Sequence, residues 1–143
     1  MNQLKELDTT ECLRLLGQHG IGRAAVATPD GPHLVPVNYA VLDGSIAIRT
    51  SPYSLLGTYA RASMLAFEVD DIDEETHSGW SVVVRGRCLP ETDPTTLARL
   101  RSLLPESWAP GARTLYLRLP LEEVSGRAVG AALAVAPRAV GAT

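Results

Sequence analysis

Two stretches of this chain carry side chains whose types and spacing suit binding chemistry. The first is Ile48-Arg49-Thr50-Ser51-Pro52-Tyr53-Ser54. Its pattern predicts a strand ending in Arg-Thr-Ser and a helix beginning almost at once. Free amide groups at a helix start attract anions, and the hydroxyls of Thr50, Ser51 and Ser54 can donate to phosphate oxygens. Arg49 can add a bidentate, charge-assisted contact. The bland alternative is a capped helix beside an exposed arginine. The second stretch is Gly79-Trp80-Ser81-Val82-Val83-Val84-Arg85-Gly86-Arg87. Alternation puts Trp80, Val82 and Val84 on one face of a strand and Ser81, Val83 and Arg85 on the other. A tryptophan at a strand start can stack on a flat ring or fill a core, and the residues alone favour the core.

Other candidates fail on chemistry. The acidic run Asp70-Asp71-Ile72-Asp73-Glu74-Glu75 lacks the alternating ligands and the turn glycine of a hard-cation loop, and reads as a solvated loop. His19, His33 and His77 have no metal-ligand spacing, so no metal site is assigned, and His77 reads as a surface histidine. Cys12 and Cys88 lie far apart and suggest two buried free thiols in a reducing compartment. Gly20-Ile21-Gly22 lacks the third glycine of a dinucleotide fingerprint and precedes a strand. There is no Walker lysine and no nucleophile elbow. Of the 13 basic residues only Lys5 is a lysine, which leaves the body of the domain without an amine for a Schiff base.

The elements that must hold these residues follow from periodicity and punctuation. A helix is predicted over 8–19, with Asp8 as its cap, Glu11 in capping-box register and Cys12, Leu13 and Leu16 as its buried stripe. Strands follow at 21–28, 34–42 and 45–50, the last two joined by the hairpin signal Asp43-Gly44. A short helix is expected from Pro52 to about Arg61, with Leu55, Leu56 and Tyr59 on its apolar side. Further strands span 64–69 and 79–89. Asp93 caps a third helix opening at Pro94, and a last strand covers 115–124 with an interruption at Pro120. Trp108 falls in a loop. The Ala/Val/Gly/Pro-rich tail 128–143 is expected to fray or to lie on a neighbouring subunit. The fold class is therefore mainly β (α+β): one domain over 1–127, a six-stranded antiparallel barrel, closed or half-closed, with about three short helices.

Composition agrees. With 143 residues, 45% apolar and 20% charged, the chain fits one domain with a real core. A net charge of −3 argues against general nucleic-acid binding. No stretch approaches the roughly 20 apolar residues of a membrane span, and the first residues lack a signal-peptide run, so a cytoplasmic protein is expected.

Taken in order, several stretches resemble the pyridoxamine-5′-phosphate-oxidase-like flavin-binding split barrels, closest to the small single-domain, nitroimidazole-resistance-like branch. They are Glu11-Cys12-Leu13, Gly22-Arg23, Val35-Pro36-Val37-Asn38-Tyr39, Ile48-Arg49-Thr50, Phe67 to Asp73, Gly79-Trp80-Ser81-Val82, Arg85-Gly86-Arg87 and Val124-Ser125-Gly126-Arg127. The resemblance implies a homodimer with two flavin mononucleotides (FMN) in clefts between subunits. It places the phosphate near Arg49, Thr50, Ser51 and Ser54, and the isoalloxazine along Val37-Asn38 and near Trp80-Ser81. It implies an oxidoreductase of unassigned substrate, and no catalytic residue is named. One departure stands out: where the family usually has lysine or arginine-lysine after the serine of the phosphate helix, this chain has Leu55-Leu56. Losing such a contact costs roughly 1.5–3 kcal/mol. Two alternatives stay open: a deazaflavin-dependent reductase on the same barrel, and a non-enzymatic ligand-binding or interaction dimer without cofactor.

Overall fold

The computed structural model describes residues 4–104 and 115–130. Its elements are β1 (Leu4–Glu6), α1 (Thr9–Leu16), β2 (Ile21–Thr28), β3 (Gly31–Leu42), β4 (Ser45–Thr50), α2 (Leu55–Tyr59), β5 (Ser63–Asp73), β6 (Ser78–Pro90), α3 (Pro94–Leu103), β7 (Leu115–Pro120) and β8 (Glu123–Val129). All pairings are antiparallel. Going around, β2, β3, β4, β7, β6 and β5 close into a six-stranded barrel, and β8 and β1 extend the sheet beyond β6. Closure depends on the length of β6. Its first half, Gly79–Arg85, pairs with β8, and its end, Leu89 and Pro90, pairs with β7.

Alternation sorts side chains between the barrel interior and its outer faces. Val37, Tyr39, Ile46, Ile48, Phe67, Val69, Val82 and Val84 point inward and form the main core. Phe67 is fully buried, which contributes roughly 2–3 kcal/mol, and its ring meets Tyr39 edge-on at 4.9 Å. The opposite parity supplies a second cluster, in which Leu97, Leu100 and Leu104 of the α3 segment pack on Ala40, Leu42, Ala47 and Tyr116 outside the barrel. There Arg118 is paired with Glu91 at 2.6 Å and also donates to the Leu42 carbonyl.

Two helices lie toward opposite ends of the β5–β6 ladder. α2 leads directly into Ser63, which faces Cys88, and the Ala62 amide donates to the Cys88 carbonyl. α1 packs toward the Asp71–Trp80 end, where His19 meets Trp80 and the Tyr39 hydroxyl donates to the Leu16 carbonyl at 2.6 Å.

The expected strands and the Asp93-capped third helix are present, and the Asp43-Gly44 turn has φ of 48° and 73°, as a two-residue hairpin requires. Other expectations need correction. α1 ends at Leu16 rather than residue 19, and its buried side is Cys12, Leu15 and Leu16; Leu13 is exposed because positions 12, 15 and 16 share one face. α2 does not open at Pro52. Ser54 is its cap, accepting from the Gly57 amide, so the helix runs only from Leu55 to Tyr59. Asp70 to Asp73 are not loop but β5, each paired with a residue of β6, and only 74–77 form the turn. The last strand is two, β7 and β8, separated by a turn at Leu121-Glu122. Ala128 and Val129 belong to β8, where they pair with β6 and with the unpredicted β1. Trp108 and residues 131–143 lie outside the described residues. Cys12 and Cys88 are both buried and free, and burial pushes the Cys88 thiol up to about 12. No helix among the described residues is long and apolar enough to cross a membrane.

Candidate functional site

The loop before α2 gathers three of the expected phosphate contacts. The Ser54 oxygen accepts from the Gly57 amide (3.0 Å) while its proton goes to the Ser51 carbonyl (2.8 Å). Thr50 Oγ1 lies 2.7 Å from the same Ser54 oxygen. With the Ser54 proton already placed, Thr50 must be the donor in that pair. Thr50 is 4% exposed, and both protons are thus directed within the loop. Ser51 differs: its oxygen accepts from the Tyr53 amide at 3.2 Å, which leaves its own proton to give. Arg49 has the opposite parity to Thr50, and its guanidinium stands 5.8 Å over the Tyr116 ring on the outer face. Leu56 is buried at 2% exposure, whereas Leu55 is only partly buried at the edge of the core.

The four ring-site candidates are spread across the sheet. Val37 and Trp80 have inward parity; Asn38 and Ser81 have outward parity. Asn38 pairs with Ile21, Asp70 pairs with Ser81, and extending the Arg23–Glu68 register by two residues sets Ile21 beside Asp70. Asn38 and Ser81 therefore share one row across β3, β2, β5 and β6, three strand spacings or about 14 Å apart. That is further than one three-ring heterocycle reaches.

Trp80 stands at the wall of two cavities. The larger, of about 290 Å³, lies between α1 and the β5–β6 hairpin, with Arg14, His19, Asp71, Asp73 and Trp80 in its lining. The second, of about 260 Å³, adjoins the outer side of β6 and β8 and includes Ile72, His77, Trp80, Ser81 and Arg127. Trp80 is neither fully buried nor free: it packs on the core and meets the His19 ring edge-on at 5.1 Å. His77 is exposed, as expected, and also forms part of the second cavity wall. The roles of Arg14, His19, Asp71 and Asp73 were not visible in the sequence. They reach Trp80 through the packing of α1 and the β5–β6 register, and the one sequence signal was the length of the two strands flanking the acidic turn.

A further charged cluster lies on the outer face of β2 and β5. Arg23 sits 3.2 Å from Glu68 and 3.5 Å from Asp70. Burial and the adjacent Asp70 push the Glu68 carboxyl up to about 7, with Arg23 opposing them. A carboxyl raised in the folded state binds its proton more tightly folded than unfolded. Stability is then complete below about pH 4.5 and declines as pH rises toward 7. Because Glu68 is about one-third exposed, the decline should be on the order of 1 kcal/mol. Urea midpoints at pH 5 and pH 8 should show it in the wild type and not in Glu68→Gln; equal slopes in both would rule it out.

The geometry defines a small split-barrel protein with cavities of small-molecule size beside its longest hairpin. Residues 8–128 match the family model for pyridoxamine 5′-phosphate oxidase, and the chain belongs to that family. A curated relative, an uncharacterized protein of Mycobacterium tuberculosis, is 33% identical over 129 residues, covering 87% of this chain and 84% of that protein. Among solved structures, the FAD-binding protein of Mycobacterium smegmatis is 30% identical, with a TM-score of 0.73 over 87% of this chain and 98% of that one. A FAD-binding protein of Mesorhizobium loti is 25% identical, with a TM-score of 0.73 over 91% and 99%.

Proposed function

We propose that this chain is a flavin-binding, oxidoreductase-like homodimer that holds FMN, or the same portion of FAD, in a cleft between two copies. The observation that carries the reading is the 30% identity to a FAD-binding protein over 98% of that protein's length. The spread of the ring-site residues supports the dimer: Asn38 of one copy and Trp80-Ser81 of the other can border one ring, although within a single chain they cannot. A two-fold contact supplies this arrangement twice.

Bound flavin would supply the redox chemistry, and the protein's part is to bind and orient it. Ser51, with a proton to give, and Arg49, on the adjoining outer face, are the groups suited to meet the phosphate. Thr50 and Ser54 shape the loop that presents them. Trp80, which is only partly buried, offers apolar contact to a ring, Asn38 and Ser81 offer hydrogen bonds to its edge, and Val37, with its side chain in the barrel core, can border the ring through its backbone alone.

Absorbance of the purified protein at the flavin bands, with titrations of FMN, FAD and riboflavin, tests the reading. Binding of FMN or FAD at least about tenfold tighter than riboflavin is expected if the phosphate contributes a charge-assisted contact. Light scattering should give twice the 15.3 kDa chain mass. A colourless protein that binds none of the three would leave the cofactor-free dimer as the reading, and a monomer would remove the shared cleft.

A further inference from the structure

Outside the barrel, α3 covers Ala40, Leu42 and Ala47, while the first half of β3 and its neighbours β2 and β5 keep apolar side chains in water. Ile21, Leu34 and Met64 are 45%, 68% and 54% exposed, and Pro36 is exposed among them. Strand register sets this face out in rows. Asn38, Ile21, Asp70 and Ser81 form one; Pro36, Arg23, Glu68 and Val83 form the next; Leu34, Ala25, Ala66 and Arg85 form a third. Two such sheets can pack face to face, about 10 Å apart. A two-fold axis across the strands would lay each strand on its own copy, and one normal to the sheet would leave both faces in water. An axis along the strands, midway between β2 and β5, brings Asn38 of each copy opposite Ser81 of the other. It also lays β2 on the partner's β5. Arg23 then faces the partner's Glu68, Ile21 faces the partner's Asp70, and the small Ala25 and Ala66 flank the axis.

We infer that two copies of this chain meet through this face, in this register, and that Glu68 takes up a proton as they associate. The face and its control presuppose the shared cleft proposed above, whose ring-site residues set the axis. In charge the face is self-complementary, a cation on β2 meeting carboxylates on β5 twice over. In number it is unbalanced, since Arg23 lies 3.2 Å from Glu68 and 3.5 Å from Asp70 and serves both. On β6, the residue beside Glu68 is Val83, and the nearest cation, Arg85, is held by Glu123 at 3.2 Å. Beyond Arg23, β3 adds the uncharged Pro36. Covering the face takes water from two carboxylates for each guanidinium, which favours one of the two being neutral. Glu68 is poised for that, because burial and Asp70 already push its carboxyl up to about 7 in the single chain, against Arg23. Further burial raises it again in the dimer, so association is tightest below about pH 7 and weakens as pH rises.

Sedimentation of fluorescently labelled protein, from nanomolar to micromolar concentration, gives the dimer Kd against pH. A further rise of about half a pK unit in each copy would raise Kd about tenfold between pH 6 and pH 8.5. Glu68→Gln, neutral throughout, should stay tight and flat across that range. Ile21→Glu sets a carboxylate opposite the partner's Asp70 and should give a monomer with an unchanged CD spectrum, since residue 21 is exposed in the single chain. A wild-type dimer whose Kd ignores pH, or moves as much in Glu68→Gln, overturns the proton link and leaves the shared cleft standing. Ile21→Glu dimerising as tightly as the wild type overturns the face. A wild type that is monomeric at every pH removes the shared cleft, and this contact with it.

Discussion

Leu56→Lys is expected to destabilise the domain by about 3–5 kcal/mol, the cost of an unpaired charge in the core, because Leu56 is 2% exposed among apolar neighbours. Leu55→Lys is expected to do something different. Leu55 is half-buried at the edge of α2, where a long side chain can keep its stem on the core and its ammonium in water. Its cost in stability should stay near 1 kcal/mol. Restoring a cation beside Ser54 should raise FMN affinity about tenfold, since one charge-assisted contact contributes on the order of 1.5 kcal/mol. Riboflavin, which has no phosphate, should gain nothing. Urea denaturation separates the two variants, and paired titrations isolate the phosphate. If Leu55→Lys folds but strengthens FMN and riboflavin equally, or neither, the loop before α2 is not where a flavin phosphate is held.

The second large effect is expected at Gly57, within the same turn. A Cβ there would stand 2.2 Å from the Ser51 carbonyl oxygen and 2.7 Å from that of Pro52. Both are backbone atoms, so α2 must separate from the 51–54 loop. That movement strains the cap that Ser54 makes to the Gly57 amide and loosens Leu56 and Ala60 from the core. Gly57→Ala should cost about 2–4 kcal/mol, a fall in Tm of roughly 10 °C for a domain of this size. Gly20→Ala is the control, because a Cβ at Gly20 meets nothing within 4 Å and should change little. An unchanged Tm for Gly57→Ala would mean that the loop and helix are not packed as described.

Much of the framework was legible in the sequence because it rests on local rules. Period-two alternation gave β2, β3, β4 and β6, and Asp43-Gly44 gave a hairpin turn because both residues tolerate positive φ. Asp8 and Asp93 announced two helix starts through their hydrogen bonds to amides three residues on. The ordered resemblance pointed to the family that the comparisons show.

Other features depended on contacts between segments distant in the chain. Asp70 to Asp73 of the acidic run became strand because β6 is long enough to pair with them, and pairing satisfies backbone groups whatever the side chains carry. Leu121-Glu122 became a turn because β6 needs two partners along one edge, β8 for its first half and β7 for its end. At the candidate site the sequence named residue types, and only the folded geometry assigned their hydrogen bonds. Thr50 and Ser54 turn their protons into the loop, Ser51 retains one to give, and Leu55 rather than Leu56 can reach water. The cavity beside Trp80 could not be read from spacing at all. Its walls come from α1 and from a hairpin more than fifty residues further along, brought together by the packing of α1 against β6 and β8.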